Sequence, residues 1–220
     1  MKRIGIELNG IVRDINSQIV KYYTRDIDKT FDDESVDKNV VDIFKQIKLG
    51  KTKKNEFLFT DYPYEVYGCA RTMTKNLATK LNNWMISLSE LEDDDYTVSF
   101  FSCNENGLSI QSTYFFLSKI GCKARKMIFP EEVHEVWDNF DVVITTSEKI
   151  ADEMPDSEKF CVGVIKNDNK ELSESVQYTC EKLEDLFNDE FLDTIRMTNG
   201  TRPKKRNNIL KMFRKWLKKD

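Results

Sequence analysis

The chain has 220 residues, 40% of them hydrophobic, 11% aromatic and 33% charged, with a mean hydropathy of −0.56. That length suits one ordinary domain with a sizeable core and a modest insert or tail. No apolar run approaches the ~20 residues that cross a bilayer. Glu7 and Asn9 break the N-terminal apolar stretch too early for a secretory signal, so the sequence points to synthesis and use in a reducing cytoplasm.

In chain order, residues 3–8 form a short apolar run that predicts a buried strand. Residues 11–26 predict a helix, with Ile11, Ile15, Ile19 and Tyr22 or Tyr23 recurring every three to four positions. Residues 28–70 are less regular and aromatic in their second half. They read as an insert over a site, followed by a helix over 71–91. After the acidic run from Glu92 to Asp95, apolar strands alternate with helices. Strands are expected at 96–101, 124–129, 141–145 and 159–165, and helices at 108–120, 131–139 and 181–196. Continuous apolar strands alternating with helices predict an α/β fold with a parallel, Rossmann-like sheet covered on both faces. A ligand site then belongs at the carboxyl ends of the central strands. The expected organisation is a core of residues 1–27 and 92–200, an insert with its connecting helix at 28–91, and a tail at 201–220.

The five cysteines never form a C-x-x-C pair. With a single histidine, His134, no zinc set is expected, and the thiols read as small apolar side chains. His134 lies beside Glu131, Glu132 and Glu135 on a predicted helix surface.

The first strand ends in Glu7-Leu-Asn-Gly10 and a helix follows at once. The opening Ile4-Gly-Ile-Glu-Leu-Asn-Gly-Ile-Val-Arg-Asp14 resembles the start of haloacid dehalogenase-like phosphohydrolases, whose pattern reads I-G-I-D-L-D-G. The likeness covers roughly residues 1–170, with the insert in the place of a helical cap. More loosely, Asp61-Tyr-Pro-Tyr-Glu-Val-Tyr-Gly68 and Ser112-Thr-Tyr-Phe-Phe-Leu-Ser-Lys-Ile-Gly-Cys122 resemble proteins of this type from contractile-tailed bacteriophages.

The resemblance implies a first aspartate that attacks phosphorus, a second that acts as acid and base, a hydroxyl and a lysine that hold phosphate, and carboxylates that help bind magnesium. Here Glu7 holds the nucleophile position and is one methylene longer, a displacement of roughly 1 Å that can cost about a hundredfold in rate. Asn9 holds the acid/base position and has no proton to exchange. Loss of that help costs ~10²–10⁴-fold. Ser102 matches the phosphate-holding hydroxyl, and Lys123 and Lys126 are both candidates for the lysine. Thr145 and Thr146 stand where the downstream magnesium carboxylates belong. No resident cofactor or metal is therefore expected, and magnesium enters only if the chain is a working phosphatase or 5′-nucleotidase with atypical motifs.

The net charge of −4 hides an asymmetry. From Arg202 to Asp220 there are nine Lys or Arg and one Asp, a balance of +8, which leaves −12 on the other 201 residues. Lys204, Lys205 and Arg206 open this tail. Ile209, Leu210, Phe213, Trp216 and Leu217 then fall on one stripe of a basic amphipathic helix. Such a helix can dock on a protein, pack back on the acidic body, lie on an anionic membrane or meet nucleic acid. The combined expectation is a catalytically degenerate structural or interaction module. It would be a bacteriophage virion or assembly component that docks on other proteins through the tail, made in the host cytoplasm and ending in the virion.

Overall fold

The computed structural model describes residues 2–90, 96–124, 126–155 and 159–197. Six strands form one sheet: β1 (Lys2–Glu7), β4 (Tyr96–Phe101), β5 (Met127–Ile128), β6 (Val142–Thr145), β7 (Phe160–Val164) and β8 (Tyr178–Cys180). Their order is β5-β4-β1-β6-β7-β8, and every pairing is parallel. A two-stranded antiparallel ribbon of β2 (Arg13–Asp14) and β3 (Arg71–Thr72) stands apart. After β5 the chain crosses to the far side of β1 to form β6. The sheet's switch point therefore lies at the carboxyl ends of β1, β4 and β6, where parallel sheets bind ligands.

Both faces are covered. Ile4 and Ile6 pack with Leu77, Leu81 and Trp84 of α3 (Leu77–Ser89), Phe116 of α4 (Leu108–Lys119) and Phe191 and Ile195 of α7 (Asp189–Met197). On the other face Phe101 and Val143 meet Val136 and Trp137 of α5 (Val133–Asn139) and Ile150 of α6 (Glu148–Asp152). Each such side chain, taken out of water, contributes roughly 1.5–3 kcal/mol. Gly5 is required where the Phe140 ring lies on β1, because an added Cβ would come within 2.4 Å of it.

The insert has its own core. Val40, Ile43, Ile47, Phe57, Leu58, Val66 and Tyr67 pack on Ile19, Val20, Tyr22 and Tyr23 of α1 (Ile15–Asp26). Thus α1, assigned by sequence to the sheet domain, lends its apolar stripe to the insert. Residues 51–68 are helical: α2 (Lys51–Glu56) runs into two π-helical turns at Phe57–Asp61 and Tyr64–Gly68. Several ties hold this layer to the sheet domain. Asn167 donates its backbone N–H to the carbonyl of Asn39 at 3.0 Å, and Asp168 accepts from the Val41 backbone at 2.7 Å. Lys119 donates to the carbonyls of Gly68 and Ala70, both at 2.8 Å.

Four elements differ from the sequence expectation. The first helix starts at Ile15, because Gly10 (φ 76°) turns the chain and Asp14 caps the helix by accepting from Ser17 N at 3.0 Å. The region after Arg71 begins as β3, and α3 opens only at Leu77 after Asn76 at φ 64°. The strand expected over 124–129 pairs only at Met127 and Ile128. The helix expected over 181–196 is broken. A 3-10 turn at Leu183–Leu186 precedes α7, and the Asn188 side chain accepts from Phe191 N at 2.8 Å at the new start. The acidic run at 92–95 and the tail from 201 to 220 lie outside the described residues.

Candidate functional site

At the carboxyl end of β1 the ladder continues one residue further, with Leu8 N donating to Phe101 O at 2.8 Å. Gly10 then reverses the chain, and the amides of Val12 and Arg13 both donate to Leu8 O, at 3.0 and 2.9 Å. This tight return brings the Asn9 and Arg13 side chains together over the sheet tips.

The predicted positions fall into two groups. Glu7 turns toward β6. Its Oε2 accepts from Thr145 Oγ1 at 2.8 Å, Thr146 N at 2.8 Å and Thr146 Oγ1 at 3.0 Å. Burial pushes the Glu7 carboxyl above its ordinary value, and those three donors pull it only part of the way back. The two threonines standing where carboxylates were sought are thus hydrogen-bond donors to the residue at the nucleophile position.

Asn9 and Ser102 belong to a second, closed network. Asn9 Nδ2 donates to Ser102 Oγ at 2.9 Å, while its Oδ1 accepts from Arg13 Nε at 2.8 Å and Nη2 at 2.6 Å. Two guanidinium donors on one side fix which way the amide points. Ser102 Oγ donates in turn to Glu105 Oε1 at 2.5 Å. Arg13 pairs with the same carboxylate and donates to Thr113 Oγ1 at 2.6 Å, and Thr113 donates to the other oxygen of Glu105. The Arg13 and Glu105 side chains are 0% and 1% exposed. Burial lowers the Arg13 pKa and the Glu105 charge raises it again. The guanidinium also lies 5.0 Å from the centre of the Tyr67 ring and 5.4 Å from that of Phe116. Every polar group of this network has a protein partner, as a buried ionic cluster requires.

Sequence reasoning missed Arg13, Glu105 and Thr113; Arg13 reaches Glu105 across 92 positions and Thr113 across 100. The available signals were a polar Arg13-Asp14 pair straight after the motif and Glu105 three residues past Ser102. Lys123 and Lys126 are not brought to the strand tips. Both line a groove beside Arg3 and Tyr96 at the amino ends of β1 and β4, and Lys126 Nζ faces Asn139 Oδ1 at 3.4 Å. A lysine that does sit at a strand tip is Lys166, just past β7 and only 6% exposed. Burial lowers its pKa, and the Asp14 charge raises it in part. His134 is exposed on α5. The tail residues Lys204, Lys205, Arg206, Ile209, Phe213, Trp216 and Leu217 lie outside the described residues.

Above the network a crevice of about 680 Å³ opens under the insert, lined by Ile19, Phe44, Phe59, Tyr67, Asn104 and Glu105 among others. Asn104 holds a left-handed backbone, φ 63°. Cys103, beside it, is pushed up to about 12 by burial and by the Glu7 charge, so it is no thiolate nucleophile.

A similar fold occurs among solved structures. The chain superimposes on a haloacid dehalogenase-like hydrolase from Burkholderia xenovorans with a TM-score of 0.53 at 12% identity, covering 86% of this chain and 97% of that one. The fold is haloacid dehalogenase-like. At that identity the likeness concerns the fold. No protein-family model matches the sequence, and no curated protein matches it.

The haloacid dehalogenase-like fold implies magnesium at these strand tips, so the donor set has to be tested against it. A hard divalent cation takes oxygen ligands and favours carboxylates. Among the described residues no three Asp, Glu, Cys or His side chains converge on a point. Glu7 Oε2 carries three donors, and the side-chain oxygen of Asn9 carries the cationic Arg13. A second cation beside that guanidinium would be repelled. These residues do not fit magnesium.

Proposed function

We propose that this chain is a haloacid dehalogenase-like protein without phosphatase chemistry, working as an interaction module whose tail docks on another protein. The observation that carries this is the Arg13–Glu105 network. The polar groups of Asn9 and Ser102 that would meet a phosphate and its leaving group spend their hydrogen bonds on each other, on Arg13 and on Glu105. The Arg13 guanidinium puts an internal cation against the Asn9 oxygen, which weighs against a second cation there. Losing the acid/base residue and misplacing the nucleophile each cost orders of magnitude in rate. The ties between insert and sheet domain add to this reading, since they oppose the opening that substrate exchange needs.

The partner side of the proposal rests on the tail. A stripe of Ile209, Phe213, Trp216 and Leu217 among Lys204, Lys205, Arg206 and further basic residues suits a groove with an acidic rim on another protein. The resemblance of residues 61–68 and 112–122 to phage proteins supports a virion or assembly component as the setting. Membrane or nucleic-acid contact by the tail is less favoured, because a body carrying −12 repels anionic surfaces everywhere else. Among the described residues no helix is long and apolar enough to cross a membrane.

The test is deletion of residues 204–220. The shortened protein is expected to melt as the full chain does and to stop co-sedimenting with assembled particles from its native source. Retention in those particles overturns the docking role, and loss of the folded state assigns the tail to the core instead. The second reading, a magnesium-dependent phosphatase or nucleotidase, draws on Glu7 standing at the tip of β1, next to β4, whose end carries Ser102. It requires Glu7 to leave Thr145 and Thr146.

A further inference from the structure

One helix stands out by what its open side lacks. α4 carries one charged residue in twelve, Lys119, in a chain of which 33% is charged. Ser109, Ser112, Thr113 and Phe116 are its buried side. Leu108, Gln111, Tyr114, Phe115 and Ser118 are exposed and share roughly a third of the helix's circumference. Leu108 and Tyr114 are each 53% exposed, and Phe115 is 44% exposed. Along one margin stands Tyr64 of the second π-helical turn, 48% exposed, its ring centre 5.2 Å from that of Phe115. Along the other, the Phe129 ring lies 5.8 Å from Tyr114. Apolar side chains exposed singly are ordinary, whereas a continuous uncharged patch of them marks a contact surface.

The patch is built rather than loose. Gly68 lies under both rings, where an added Cβ would come within 3.2 Å of Tyr64 and 3.3 Å of Phe115. Lys119, the cation of this helix, spends its donors on the carbonyls of Gly68 and Ala70. Little ordering therefore remains to be done on binding. Acids border both margins. Asp61 and Glu65 stand beside Tyr64 in sequence, and Glu131 and Glu132 follow Phe129; Asp61, Glu131 and Glu132 are exposed. Glu131 also lines the crevice that Asn106 borders, two residues before Leu108. Two copies packed patch to patch would set acid against acid, which disfavours a second copy as the occupant. A segment that presents apolar side chains between lysines and arginines meets every part of this surface. We propose that the exposed face of α4, with Tyr64, is a docking surface for a basic amphipathic helix of another protein.

The competing reading is that Tyr64 and Phe115 only fasten the insert to α4. Isothermal titration of the full chain separates the two. The probe is a synthetic amphipathic helix of leucine, tryptophan and lysine, used beside its glutamate-for-lysine counterpart. The proposal expects one-to-one binding of the basic peptide, weakening as salt is raised, and no binding of the acidic one. Tyr114→Ser/Phe115→Ser should weaken binding at least about tenfold. Asp61→Lys/Glu131→Lys, which leaves the rings in place, should weaken the basic peptide to a similar degree and admit the acidic one. If the serine variant melts lower than the parent, this charge reversal on exposed side chains is the deciding arm. No binding, equal binding of both peptides, or binding indifferent to the reversal overturns the proposal. Attraction of the peptide to the acidic body at large would show as that indifference.

Discussion

Arg13 and Glu105 lie 92 positions apart and form a fully buried ion pair immediately behind Asn9 and Ser102. One partner sits on the return of the first strand's turn, the other in the loop after β4. The pair joins two tips of the sheet, and the Arg13 donor to the Tyr67 carbonyl at 3.3 Å adds the insert.

Breaking that pair from one side strands a buried charge. Arg13→Ala and Glu105→Ala should each destabilise the protein by ~3–5 kcal/mol, whereas the Arg13→Met/Glu105→Leu double variant should cost much less than the sum of the two. Urea unfolding midpoints measure this. Additive losses would show that the two side chains act independently.

Glu7 sets a pH dependence. Its folded pKa is raised chiefly by burial, so the folded state binds a proton more readily than the unfolded chain. Stability therefore falls as pH rises through the unfolded and then the folded pKa of this carboxyl, and the penalty is complete above both. Glu7→Gln keeps an acceptor for Thr145 and Thr146 without a charge. At neutral pH it should be at least as stable as the parent, with the difference closing below the unfolded value of roughly 4.3. Thermal melts of both proteins across that window decide it, and a variant less stable at neutral pH would contradict the raised pKa.

Gly5 should tolerate no side chain. Its Cβ site lies 2.4–2.8 Å from three atoms of the Phe140 ring. Gly5→Ala should destabilise by ~1–3 kcal/mol or more, and Phe140→Leu in the same chain should recover part of that loss.

Restoring the two aspartates should not restore an enzyme. In a Glu7→Asp/Asn9→Asp variant the carboxylate introduced at position 9 meets the Arg13 guanidinium and becomes its ion-pair partner, while Thr145 and Thr146 still supply no carboxylate for a metal. The expected result is a folded protein with no magnesium-dependent turnover and no magnesium-induced rise in melting temperature. A melting temperature that climbs with magnesium would show that the metal site survives beneath the network.

Much of the frame is legible in the sequence because it is written locally. The apolar run before Glu7, the left-handed turn that Gly10 permits and the continuous Val142–Thr145 strand each follow from neighbouring residues. The parallel sheet follows from their alternation with helices. What cannot be read this way is whatever depends on distant partners. The helical stripe of α1 is plain in sequence, yet nothing in it says that it faces the insert rather than the sheet. The strand read over 124–129 pairs with β4 only at Met127 and Ile128, which nothing in its own residues announces. Ser102 can be placed by its strand, but its engagement with Glu105 and Asn9 appears only when three segments converge. The lysine stayed open for the same reason: sequence offered Lys123 and Lys126 as candidates, and the topology put both before β5, in a groove with Arg3 and Tyr96.

The central claim, that internal partners have replaced phosphatase chemistry at these strand tips, is met most directly by a turnover assay. The full chain, with magnesium, is offered a broad panel of phosphomonoesters and nucleoside monophosphates beside its Glu7→Ala variant. The account predicts no phosphate release by the parent above that of the variant. Robust release by the parent that Glu7→Ala abolishes would contradict it.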